Sequence, residues 1–300
     1  MGEGELQVPP DAAGERLDVW LARSLVGFTR AKLAELIQAR RVRVDGEPRA
    51  KGYRLKGGER VLVAPEASPR ADVAQAPIPR IAWENEDLLI VDKPPGLVVH
   101  PAPGHHGLTL VELLAERASG GWQPRAVHRL DRDTSGLMIV AKREPVRREI
   151  QKLIRERAVL REYRGLAEGT VSSRRGTIEA PLGRDPRARA RMAVGGAASR
   201  EARTHFEVER HLGAFTLVRV TLDTGRTHQI RAHFAAIGHP LSGDRTYGAG
   251  RGKAPSLGLD RQFLHSARLV FRYSGAKEPI EETSELPADL AGALRRAEGA

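Results

Sequence analysis

Five ionisable side chains, His128, Arg129, Asp131, Arg132 and Asp133, crowd the run Ala126-Val-His-Arg-Leu-Asp-Arg-Asp-Thr-Ser-Gly-Leu-Met-Ile-Val-Ala-Lys142 just ahead of an apolar stretch. Polar groups at the mouth of a buried strand are held by a rigid scaffold yet reach solvent, a placement that suits acid-base or nucleophilic work by a carboxylate. Leu137 to Val140 is that scaffold. A calcium loop would need a Glu where Lys142 stands. A kinase catalytic loop would not have Leu130 between its Arg and Asp. Zinc is disfavoured by the absence of Cys and of a His-Glu-x-x-His run, so no metal site is expected. Asp133, Thr134 and Ser135 read as turn-shaping residues, and a purely salt-bridged loop is the competing structural account of the cluster.

Such a loop needs elements to hold it and to bring partners to it. Leu88 to Val91 predicts a buried strand, Lys93-Pro-Pro-Gly96 a turn, and Leu97 to Val99 a second strand. Leu108 to Arg117 and Val146 to Arg157 read as helices, with a last helix near Pro287 to Arg296. Phe215 to Leu222 reads as a strand ending in Asp223-Thr-Gly225. Thr227 is then placed to cap a helix carrying Ile230, Phe234 and Ile237 at i, i+4 and i+7, which sets Arg231 one turn in. His228 and His233 are five apart and do not share a helix face.

The chain has 300 residues, no Cys and a formal net charge of +11. Clustered Lys and Arg attract phosphate backbones, so nucleic acid is the expected partner. No apolar run approaches the roughly 20 residues of a membrane span, and the start lacks the form of a signal peptide; a cytoplasmic protein is expected. Residues 1–12 read as a disordered tail, 13–64 as a first packed unit, 65–78 as a Pro- and Ala-rich linker and 79–300 as the main domain. Residues 184–200, rich in Arg, Ala and Gly, are expected to form a mobile basic loop that orders on RNA. In the first unit two short helices, the second capped by Thr29, precede Val42 and Val44, which alternate with basic residues before Asp45-Gly46, and Arg54 to Val63 supplies further strand material.

The stretch Thr29-Arg-Ala-Lys-Leu-Ala-Glu-Leu-Ile-Gln-Ala-Arg-Arg-Val-Arg-Val-Asp-Gly46 resembles the small S-four-type RNA-binding module. Arg40 stands where that module has Gly, so a residue that adopts the left-handed conformation less easily must make the turn. Arg30, Lys32, Arg41, Arg43, Lys51 and Arg54 are its candidate phosphate-binding side chains. His128-Arg-Leu-Asp-Arg-Asp-Thr-Ser-Gly136, Arg161-Glu-Tyr-Arg-Gly165 and Leu222-Asp-Thr-Gly-Arg-Thr-His-Gln-Ile-Arg-Ala-His233 together resemble the RluA-type pseudouridine synthases. Lys93-Pro-Pro-Gly-Leu-Val-Val-His-Pro101 and Gly243-Asp-Arg-Thr-Tyr247 add two more matches in order.

The resemblance implies an α+β chain: a small αα-β RNA-binding module followed by a catalytic domain on a mixed, mainly antiparallel sheet. It implies isomerisation of selected uridines in large-subunit ribosomal RNA, by a monomer, with no metal or organic cofactor. It makes Asp131 the essential carboxylate, Tyr163 the ring that stacks on the target base, Arg231 the partner that keeps Asp131 ionised, and Arg129 the side chain that fills the gap left by the flipped nucleotide. His128, Arg226 and His228 are expected at the substrate. Arg161 and Arg132 stand where the family often has Lys. Asp131 either attacks the anomeric carbon or removes the ribose 2′ proton; both routes need it unprotonated and at the ribose. The rivals are a non-catalytic ribosome-assembly RNA binder and a metal-dependent ribonuclease using Asp131, Asp133, His128 and His100.

Overall fold

The computed structural model describes residues 4–25, 30–64, 78–101, 107–118, 121–188, 191–248 and 257–299. The chain divides into two compact units, Met1–Arg70 and Ala71–Ala300. Residues 65–77 of the expected linker lie outside the described residues, as do Thr29 and the side chains of Arg30 and Lys32.

In the first unit, strand β1 (Gly4–Gln7) is followed by helices α1 (Leu17–Ser24) and α2 (Arg30–Gln38), then by strands β2 (Val42–Val44), β3 (Glu47–Pro48) and β4 (Arg60–Val63). Its sheet has the order β1-β4-β2-β3. The expectation of a disordered tail is corrected here, because residues 4–7 pair antiparallel with β4 and Val8 is buried behind them. That partner lies far along the chain, out of reach of any local signal. The strand expected from Arg54 is likewise shorter, beginning at Arg60. Val42, Val44, Val61 and Val63 pack against Leu17, Leu21, Leu33 and Leu36, which leaves Arg43 on the outward face of β2; Lys51 and Arg54 are exposed as well. Arg40 does take the left-handed conformation, at φ 58°.

The second unit runs β5 (Arg80–Glu84), β6 (Leu88–Lys93), α3 (Leu110–Arg117), β7 (Arg125–Ala126), β8 (Ser135–Ala141), α4 (Glu144–Arg155), β9 (Val159–Glu168), β10 (Arg175–Glu179) and β11 (Leu182–Arg184). It continues through β12 (Met192–Val194), β13 (Ala197–Arg200), β14 (Arg203–Leu212), β15 (Phe215–Leu222), α5 (Gln229–Ala236), β16 (Leu264–Phe271), β17 (Ile280–Thr283) and α6 (Ala288–Glu298). One large sheet has the order β10-β14-β15-β9-β16-β8-β6-β5, with β17 beside β16 and β7 beside β8. Its pairs are antiparallel except β8 with β16, so the α+β reading with a mixed, mainly antiparallel sheet holds. Among the described residues no helix is long and apolar enough to cross a membrane.

Both faces of this sheet are covered, which is why β8 reads as an unbroken apolar run. Leu137, Ile139 and Ala141 face Val146 and Ile150 of α4, while Met138 and Val140 belong to the opposite core with Leu110 and Leu114 of α3 and Ile230 and Phe234 of α5. Leu97 to Val99 is not a strand; Leu97 and Val99 are buried from an irregular segment after β6. The expected loop 184–200 is also corrected. Its described residues build a small sheet, β12-β11-β13, whose Met192 packs near Ala232 and Tyr247.

β8 and β16 come closest at Gly136, which has φ +108° and lies so near Ser266 that an added Cβ would fall on that residue's backbone N and O. Backbone cannot move aside as a flexible side chain can. Gly136→Ala is therefore expected to destabilise the chain by about 3 kcal/mol or more, read as a drop in the urea midpoint with unchanged m-value. An unchanged midpoint would show that the two strands separate easily at this point.

Candidate active site

The loop entering β8 is fixed along its length by side chains from distant parts of the chain. Lys93 is completely buried, and its Nζ donates to the carbonyls of Arg132 (2.9 Å), Pro94 (2.8 Å) and Leu97 (3.0 Å). Burial pushes this ammonium down to about 7, against the pull of Asp133 and Asp131. Arg261 Nη1 donates to the Asp133 carbonyl (2.9 Å) and Gln262 Nε2 to Thr134 Oγ1 (3.1 Å). His128 Nε2 accepts from the Ile139 amide (3.2 Å); burial, with Arg161 adding to it, pushes this imidazole down to about 3 and keeps it neutral. One nitrogen of His128 is thus committed to β8, although the ring still lines the cavity. Asp133 is taken by Arg132 through two bonds of 3.0 and 3.1 Å.

Asp131 emerges from this loop with a side chain 15% exposed. Arg231, 100 residues away, donates to it from Nη1 at 3.0 Å. The same guanidinium clamps Asp244 with Nε (2.6 Å) and Nη2 (2.9 Å). Burial works against the charge on Arg231, and Asp244, followed by Asp131, more than offsets it, raising its pKa above the ordinary value. Asp244 is fully buried and also accepts from the amides of Thr246 and Tyr247. Only Asp131 of these two carboxylates reaches the cavity.

Thr227 does not cap α5. The residue before the helix is His228 in the left-handed conformation, φ 54° and ψ 22°, a strained geometry for a residue other than glycine. Gln229, the first helical residue, holds the turn before the helix instead: its Oε1 accepts from the Arg226 amide (2.9 Å) and Thr224 Oγ1 (2.8 Å), and its Nε2 donates to the Arg203 carbonyl (2.9 Å). The strained turn puts His228 Nε2 4.0 Å from Asp131 Oδ2 and Nδ1 3.1 Å from the Tyr247 hydroxyl. Burial lowers the pKa of His228. The Met192 amide donates into the same hydroxyl (2.8 Å), so Tyr247 ties His228 to the segment carrying β12. His233 instead bonds Thr204 Oγ1 and the Ala180 carbonyl, both at 2.9 Å, inside the core.

These groups surround a cavity of about 850 Å³ lined by Asp131, Tyr163, His228 and Arg231 within and by Arg129 and Arg226. Tyr163, on β9, is buried, and burial raises its pKa, so the ring carries a neutral hydroxyl. Arg129 is exposed; Arg226 Nε donates to the Glu201 carbonyl (3.0 Å). The residues missed as individuals are Asp244, Tyr247 and Lys93, although the motifs Gly243–Tyr247 and Lys93–Pro101 held the signal. Among the described residues no three His, Asp or Glu side chains lie close enough together to hold a metal ion. The arrangement offers one cavity-facing carboxylate, paired with a guanidinium, beside an aromatic ring large enough to carry a base.

Known proteins share this architecture. The family model described as RNA pseudouridylate synthase matches residues 87–236, and that of the S4 domain residues 15–61. A protein of Chloroflexus aurantiacus called an uncharacterized RNA pseudouridine synthase is 41% identical, the alignment covering 98% of this chain and 97% of that one. The ribosomal large subunit pseudouridine synthase D of Nitrosomonas europaea is 39% identical over 97% of this chain and 87% of its own. Among solved structures, human RNA pseudouridylate synthase domain containing 1 aligns with a TM-score of 0.58 at 30% identity, over 70% of this chain and 84% of that one. A match to half the chain by the family model and near-complete alignment to these relatives lead to one assignment: the chain belongs to the RNA pseudouridylate synthase family.

Proposed function

We propose that this protein isomerises selected uridines of large-subunit ribosomal RNA to pseudouridine, with Asp131 as the reacting carboxylate. The observation that carries the assignment of Asp131 is that it alone of the Asp131–Arg231–Asp244 carboxylates faces the cavity, beside a ring on which a flipped base can stack. The ribosomal substrate rests on the names of relatives such as that of Nitrosomonas europaea. In this scheme Arg231 holds Asp131 ionised, Tyr163 carries the base, Arg129 fills the gap in the RNA, and His128, Arg226 and His228 contact the nucleotide. Residues 79–300 carry the chemistry and 13–64 bind RNA through Arg30, Lys32, Arg41, Arg43, Lys51 and Arg54. The protein acts as a cytoplasmic monomer with no added cofactor.

The reaction breaks the bond between C1′ and N1, turns the base and joins its C5 to C1′. Asp131 either bonds C1′ or takes the 2′ proton. In both routes the C5 hydrogen is finally lost as a proton. The test is to incubate purified protein with ribosomal RNA tritiated at uracil C5 and nothing else. Tritium should appear in water, whereas a methyl-transfer enzyme would need a donor. Protein that binds this RNA, alone or in ribosomal particles, without releasing tritium would overturn the assignment.

The first unit makes a separate expectation. Arg43→Ala with Lys51→Ala should weaken ribosomal RNA binding and shrink the slope of log Kd against log salt by about one for each phosphate no longer neutralised. Turnover on saturating RNA should stay unchanged. An unaltered salt slope would remove these two side chains from the interface.

A further inference from the structure

Arg161 is a buried cation without an anion. It is 3% exposed, its Nη2 donates to the Leu222 carbonyl at 3.0 Å, and its Nε is shielded from solvent with no partner. It takes part in no salt bridge among the described residues. The protein does not treat its other buried arginines this way: Arg231 is paired with Asp244 and Asp131, and Arg261 clamps Asp289 through bonds of 2.7 and 3.0 Å. An uncompensated buried guanidinium is costly, so its retention at a cavity wall points to a charge that arrives from outside.

The surroundings say which charge. Arg161 and Tyr163 are alternate residues of β9 and so lie on one face of the strand, roughly 7 Å apart, and both line the main cavity. The Tyr163 hydroxyl lies in the fields of Arg161 and of Asp131. A base on Tyr163 with its ribose at Asp131 therefore has Arg161 within reach. Gly225 lines the same cavity next to the guanidinium, and a Cβ there would come to 3.0 Å from Nη1, so any larger residue would crowd this nitrogen. A backbone phosphate, permanently charged and hydrated, belongs at the exposed rim with Arg129. At the cavity floor two carboxylates share one guanidinium, and new negative charge on the base would be repelled there.

We propose that Arg161 is a further catalytic residue, whose guanidinium hydrogen-bonds a carbonyl oxygen of the uracil anion formed on glycosidic cleavage; this rests on the synthase assignment above. When the C1′–N1 bond breaks, its electron pair leaves with the base, spreading charge over N1, O2 and O4. C1′ then either bonds an Asp131 oxygen or, its 2′ proton having passed to Asp131, forms a double bond to C2′. Arg161 holds the anion while the base turns. C5 then bonds C1′ as the Asp131 oxygen departs or the 2′ proton returns, and the C5 proton leaves.

The test compares wild type, Arg161→Gln and Arg161→Lys on ribosomal RNA carrying 5-tritiated uridine and, separately, 5-fluorouridine, whose fluorine stabilises the departing anion. Arg161→Gln should slow single-turnover tritium release by roughly 10²-fold, with RNA affinity little changed and Arg161→Lys retaining more activity. On 5-fluorouridine RNA, loss of the parent nucleoside after digestion should show a clearly smaller defect. An equal defect on both RNAs, or weakened affinity with an unchanged single-turnover rate, would overturn the proposal, the latter outcome marking a phosphate ligand. Should Arg161→Gln not fold, Arg161→Lys against wild type on the two RNAs makes the same comparison. Wild-type protein that releases no tritium overturns the synthase assignment and this proposal with it, whereas wild-type release with an unaffected Arg161→Gln sinks this proposal alone.

Discussion

Asp131→Asn is expected to abolish tritium release from ribosomal RNA, by at least roughly 10³-fold, while leaving RNA affinity nearly intact. The amide has the shape of the carboxylate and can still accept from Arg231 Nη1, which now donates at 3.0 Å. Arg231 does not become an orphan, because Asp244 holds it through two further bonds. What disappears is basicity and nucleophilicity at the only one of this triad's two carboxylates that reaches the cavity. Filter binding and single-turnover release, measured on one preparation, separate the two effects. Turnover at the wild-type rate would remove Asp131 from the chemistry.

Arg231→Lys should be the second most damaging change, costing about 10²-fold in single-turnover rate and roughly 3 kcal/mol in stability. The guanidinium spends Nε and Nη2 on buried Asp244 and reaches Asp131 with the remaining nitrogen. An ammonium has all its donors on a single nitrogen and cannot reproduce the spread of Nε, Nη1 and Nη2 across both carboxylates, so one of them loses its partner. Asp244→Asn attacks the same geometry from the other side and should lower activity although Asp244 touches no substrate. Thermal midpoints and release rates of both variants check this; a fully active Arg231→Lys protein would show that charge alone, without the fork, serves Asp131.

Much of the site could be read from local residue order. Leu137 to Val140 had to be a strand buried on both faces, because its run is apolar at successive positions, and the charged residues before it then had to form a loop at the strand mouth; the strand itself begins earlier, at Ser135, which the sequence placed in the turn. The pairing of Asp131 with Arg231 followed from family motifs, and the structure places them 3.0 Å apart. The two-pronged clamp of Arg231 goes to Asp244, and nothing in the spacing of Gly243–Tyr247 says that this carboxylate is fully buried.

What tertiary structure alone decided has a common physical origin. Residues 4–7 and the segment from Met192 to Arg200 are too short and too mixed in composition to declare themselves as strands; they exist because β4 and β11 offer unpaired backbone groups to them. The left-handed turn at His228 is held by Gln229 bonding back to Arg203 and Thr204, which a scan for capping residues does not weigh. Whether a charge is paired depends on what folding brings beside it: Arg231 and Arg161 are both arginines in family motifs, yet one meets two carboxylates and the other meets none among the described residues. Residue order determined which groups were available for chemistry, through local periodicity and side-chain type. Burial and partnership, which set how strongly each charge acts, are properties of residues far apart in sequence and were decided only when the sheet assembled.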